Sequence, residues 1–232
     1  MANSRSRRRS FLKQLGAGVT VAGTGLTVGA ASAAAEDAPL AFRPARHAED
    51  AWMDSIPGSH RLVIDTTTPR GFAEALAFAG NFLTASAAGY NLTDRDNAIV
   101  IVARHFATPF GFKDPMWAKY GQALPPVAAM NDPKTGQRPA FNLFNAAGYG
   151  LDVPNFGTTV DAVVGRGVHI AVCQMATKFF AGLFAKAVGG TPDGVYSELT
   201  GSVFNNSHMV SAGIVAVNRA QEHGYTFSYV TG

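Results

Sequence analysis

Cys173 is the only cysteine among the 232 residues. It closes the run GVHIAVC (167–173) and opens a segment in which Met175, Phe179, Phe180 and Leu183 recur at helical spacing. The apolar run reads as a strand buried on both faces of a parallel sheet. The thiol therefore falls where a strand gives way to a helix. In an open α/β sheet that edge is where ligands bind. The free N–H groups and the positive dipole end of a helix start also favour a thiolate. A thiolate can act as a nucleophile. The competing reading is a small, inert core residue, since free cysteine is mostly buried.

The other residues with suitable chemistry fall near strand ends. His105 closes the run NAIVIVARH (97–105) and is placed to serve as base or orienter of the thiol. Arg104 beside it offers positive charge, or is simply solvated. Thr66 and Thr67 close the run HRLVIDTT (60–67); together with Thr68 they either donate to an anion or sulfur species or cap the helix that follows. Gln174 adjoins the cysteine, and His208 is expected to follow a short strand within 202–210 and approach the same edge. The candidate catalytic pair is thus Cys173 and His105, and the candidate binding residues are Thr66, Thr67, Gln174 and His208. His169, inside the central run, reads as a packed core histidine. A copper site built from Cys173, His105, His208 and Met175 is disfavoured, because such ligands usually lie close together in all-β domains. No GxGxxG follows a strand, and neither a Walker motif nor an HExxH occurs. No metal or cofactor is expected.

The elements that must position these residues alternate. Strands are expected at 60–67, 97–105, 167–173, within 202–210 and at 225–230. Helices are expected after Pro69, at 116–120, at 158–164, after Cys173, as a turn at 195–199 and at 212–223. That alternation predicts a parallel sheet with helices on both faces. The stretch 124–157 interrupts it with prolines and glycines. Its apolar load (Phe141, Leu143, Phe144, Tyr149) predicts packed cover or a subunit contact. Residues 36–59 read as an N-terminal extension, with a short helix at 48–53 and Trp52 as its anchor.

Bulk composition narrows the classes. The hydrophobic fraction of 47% over 232 residues suffices for one well-cored domain. The formal charge of +3 is misleading: Arg5, Arg7, Arg8, Arg9 and Lys13 all lie in residues 1–35, which contain no acid. Setting those five aside leaves 14 basic against 16 acidic residues, a net charge near −2. No basic stripe remains for a nucleic-acid backbone. One cysteine excludes an internal disulfide framework.

Residues 1–35 read as an export signal. Arg8-Arg9-Ser10-Phe11-Leu12-Lys13 resembles the twin-arginine motif, with Arg7 where Ser or Thr is common. The weakly apolar run that follows is rich in glycine and ends in small residues suited to signal peptidase. Export to the periplasm or beyond is expected, with no stable membrane anchor once the signal is removed.

The central strand ending in a lone cysteine resembles the DsrE/DsrF-like family of sulfur-relay proteins. So does the run Ser211-Ala212-Gly213-Ile214-Val215, continued through Arg219, Gln221, Glu222, His223, Gly224 and Tyr225. The resemblance covers residues 60–230. It implies a three-layer α/β/α domain with a roughly five-stranded parallel sheet, and homo-oligomers. It also implies a thiol at Cys173 that accepts sulfur and passes it on as a persulfide. Small sulfur species or a partner sulfur-carrier protein would then be its partners. The export signal and the 124–157 insert depart from the family pattern. The alternative is a non-catalytic oligomeric binding or assembly protein with a buried, inert cysteine.

Overall fold

Strand β1 (His60–Thr66) is the one from which the sheet grows in both directions. In the computed structural model, which describes residues 43–232, β1 pairs with β2 (Asn97–Ala103) on one side and with β5 (Thr226–Val230) on the other. Beyond β2 lie β3 (His169–Cys173) and then β4 (Ser207–Val210), giving the order β4-β3-β2-β1-β5, all parallel. All seven residues of β2 are buried, as expected for a strand covered on both faces. The fold is a three-layer α/β/α sandwich around this sheet. The expected signal at 1–35 and the first part of the extension lie outside the described residues.

Alternation along the strands splits the core into two layers. One face carries Ile64, Ile99, Ile101, Ile170 and Val172. It is covered by α2 (Pro69–Tyr90), α3 (Asp114–Tyr120), α4 (Val160–Gly165), α5 (Gln174–Val188) and α6 (Pro192–Thr200). The 124–157 insert belongs to this layer as packed cover. Phe144 stacks on Phe110 with ring centroids 4.4 Å apart. Buried Asn142 pins the insert: its Nδ2 donates to the carbonyls of Phe110 and Phe112 at 2.9 Å. Such satisfaction is what lets a polar side chain sit in a core.

The opposite face carries Val63, Val100, Val102 and Ala171. It is covered by α7 (Gly213–Glu222) and by a strap, residues 48–56, containing the short α1 (Trp52–Ser55). The strap is more than an appendage, because Met53 and Ile56 enter the core. Tyr225 Oη donates to the Met53 carbonyl at 2.7 Å, and Asp54 meets the His223 ring at 2.8 Å. Two expected boundaries shift. β2 stops before Arg104, whose neighbour His105 starts a 3-10 turn, and the turn at 195–199 is a nine-residue helix capped by Thr191.

The topology opens one crevice. The connections leaving β1, β2 and β3 all pass over the first face, while the connection leaving β4 runs through α7 on the second. The chain therefore parts at the carboxyl ends of β3 and β4, the switch-point arrangement that leaves room for ligands in open α/β sheets. No helix among the described residues is long and apolar enough to cross a membrane.

Candidate functional site

Cys173 is the last residue of β3, level with Val210 of β4, and the N-cap of α5. Its extended backbone (φ −72°, ψ 113°) turns Sγ onto the first helical turn, where it accepts the Ala176 N–H at 3.5 Å. A sulfur thus takes the place that Ser, Thr or Asp usually fills at a helix start. The Thr177 hydroxyl donates to the Cys173 carbonyl at 2.8 Å and fixes the same turn. The residue is 6% exposed, and that exposure opens on a cleft of about 430 Å³.

The cleft is lined by Arg104, His105 and Phe106 after β2, by Cys173, Met175 and Phe179 around the start of α5, and by Ala212, Gly213 and Ile214 at the start of α7. Two helix N-termini therefore face it. Ala212, the N-cap of α7, offers no side-chain acceptor to the helix's first N–H groups. Met175, Phe179 and Ile214 form an apolar rim, each more than half exposed.

Arg104 is held rigidly. Its Nε and Nη2 donate to the two carboxylate oxygens of Asp65 at 2.7 and 2.8 Å. Asp65 projects from β1 and is nearly fully buried. The Asp65 hydrogen bonds hold the guanidinium's pKa above its ordinary value; burial opposes this, and the charge of Asp65 adds to it. Gly213 makes the geometry possible: a Cβ there would lie 2.4 Å from Arg104 Cβ. His105 takes a left-handed backbone (φ 55°), uncommon for a residue with a side chain, and its ring lies 3.8 Å from that of Phe106. Its turn is tied to β1 by hydrogen bonds from Arg104 N–H to the Thr66 carbonyl and from Phe106 N–H to the Thr67 carbonyl.

The structure brings Cys173 and His105 to one cleft and places the other four candidates elsewhere. Thr66 points into the sheet and donates to the Val102 carbonyl at 2.7 Å. Thr67 bonds the Tyr229 hydroxyl at 2.9 Å. Their contribution is through main-chain carbonyls, while Thr68 caps α2. Gln174 faces a separate polar cavity of about 380 Å³ that includes Asp50, Ser211 and Arg219. His208 lies inside β4 rather than after it. Its ring stacks on Trp52 at 3.8 Å and bonds the His169 ring at 2.9 Å, beneath the strap. Burial, with the charge of His169 adding to it, pushes the His208 pKa down to about 4; burial lowers His169 as well. Sequence reasoning missed Asp65, although an acid inside the apolar run LVID needs a buried partner, and Arg104 ends the neighbouring strand. It also missed the rim of Met175, Phe179 and Ile214, whose helical spacing reads as core.

No family model and no curated protein matches the chain. Among solved structures, a protein of unknown function from Methanobacterium thermoautotrophicum aligns with a TM-score of 0.35 at 14% identity, over 74% of this chain and 99% of that one. A likeness of that degree says nothing about the cleft.

Proposed function

We propose that this is an exported, DsrE/DsrF-like homo-oligomeric protein that accepts sulfur on Cys173 and relays it as a persulfide. The observation that carries the reading is the position of the sulfur: at the N-cap of α5, inside a cleft it shares with Arg104 and His105. Amide N–H groups and a fixed guanidinium favour the anionic forms of both the thiol and its persulfide. In the accepting step the Cys173 thiolate attacks the outer sulfur of a donor chain. A Cys173 S–S bond forms, the donor's S–S bond breaks, and the electron pair leaves on the shortened donor thiolate. Charge is conserved and no external oxidant is needed. His105, which lines the same cleft, would take the thiol proton before attack.

Intact-mass measurement after exposure to polysulfide tests this. A gain of one sulfur atom, absent in Cys173→Ser, is expected. No gain with any sulfane donor would overturn it.

A second reading is favoured by the exposed rim of Met175, Phe179 and Ile214: a binding or assembly protein whose thiol is inert. Slow alkylation of native Cys173 at mildly acidic pH would support assembly, whereas fast alkylation supports chemistry.

A further inference from the structure

The walls of the cleft are more specific than its thiol. Apart from Arg104, His105 and Cys173, its lining is hydrocarbon, sulfur and aromatic ring: Phe106, Met175, Phe179, Phe180 and Ile214 with small residues between. Arg104 is the only Lys or Arg among the lining residues, and no acid is among them. Two of the guanidinium nitrogens are already committed to Asp65. The N-termini of α5 and α7 both line the cleft, and Sγ caps the first of them. The cleft thus suits one negative charge on sulfur, and apart from Arg104 and His105 its lining offers no cation for carboxylate or sulfonate groups.

Resting on the persulfide reading, we infer that the cleft selects organic sulfur donors with an apolar body, R–S–S⁻, over dianionic thiosulfate or carboxylate-bearing peptide persulfides. In the transfer the Cys173 thiolate forms an S–S bond to the donor's terminal sulfur. The donor's own S–S bond breaks, and R–S⁻ leaves with the electron pair, so two negative charges enter and two remain. R lies against Met175, Phe179 and Ile214, whose present exposure is the area it would cover. Each carboxylate on a donor would have to lose water against these side chains without gaining a partner, which is costly.

Thiol-exchange kinetics test the selection without requiring any sulfur transfer. An uncharged pyridyl disulfide and a nitrobenzoate disulfide bearing two carboxylates are each reacted with the full chain and with free cysteine. Iodoacetamide normalises for the intrinsic reactivity of the thiol. Cys173 should favour the pyridyl reagent by about tenfold more than free cysteine does, the size expected when two or three apolar groups are covered. In Met175→Ser/Phe179→Ser, at two exposed positions, the normalised pyridyl rate should fall about tenfold on the same basis. Equal preference in Cys173 and free cysteine, or an unchanged ratio in the double variant, would overturn the inference. Retained preference with no polysulfide mass gain would sink the relay and leave the selection standing; a mass gain without preference would do the reverse.

Discussion

The two ends of β3 differ sharply although they lie four residues apart on one face of one strand. At the amino end His169 is closed in: its ring bonds His208, and Trp52 of the strap stacks over the pair. At the carboxyl end Cys173 opens on the cleft. What separates them is connection. The strap roofs the first end, while the chain leaves β3 and β4 toward opposite layers at the second. Chemical type alone would have ranked His208 with the cysteine; topology divides them.

Substitutions at each end should therefore act differently. The largest effect is expected for Asp65→Asn, which leaves the partly buried Arg104 without its carboxylate. A loss of about 3 kcal/mol in denaturant unfolding should accompany it, with the alkylation midpoint of Cys173 moving in pH. An unmoved midpoint in a folded variant would detach the Asp65–Arg104 pair from the thiol. Gly213→Ala forces Arg104 aside and should cost about 2 kcal/mol. Its alkylation rate at fixed pH should change as well, and an unchanged rate would show that the position of Arg104 does not matter to the sulfur.

Trp52→Ala strikes the closed end. It should lose about 2 kcal/mol, less than a fully buried tryptophan would, and leave the alkylation profile of Cys173 as it was. A shifted profile would mean that the ends communicate and the contrast is false. The smallest effect concerns pH. His208 is held near 4 in the fold, below its ordinary 6.5, so the unfolded chain binds the proton first as pH falls. Stability from this group is present in full above about 6.5 and declines toward 4, by on the order of 1 kcal/mol once its partial exposure is discounted. Unfolding midpoints across that window should fall less steeply in His208→Gln; identical slopes would remove His208 as the cause.

Much of this arrangement is legible in the sequence because it rests on local pattern. The density of Val and Ile in 97–103 and 168–172 marks the central strands, and Pro69 after Thr68 marks the start of α2. The placement of Cys173 between strand and helix follows from the same signals. Long-range pairing is what pattern cannot supply. Thr66 and Thr67 stand at a strand end as expected, yet their hydroxyls are taken by Val102 and Tyr229, partners brought near by sheet register and the last strand. The Asp65–Arg104 contact also depends on register, here between β1 and β2. The strap looked like an extension because its anchors, His208, His223 and Tyr225, are all more than 150 residues away.

The position of β1 has a consequence for the making of the molecule. Its second neighbour, β5, ends at Val230 in a chain of 232 residues, and Arg46 bonds the Glu222 carbonyl across 176 positions. While the ribosome still holds the carboxyl-terminal stretch, the first strand to emerge has an unpaired flank and the strap lacks its anchorage. The sheet can be completed only once β5 has joined β1, so loss of the last few tens of residues would leave an adhesive, unpaired flank on β1.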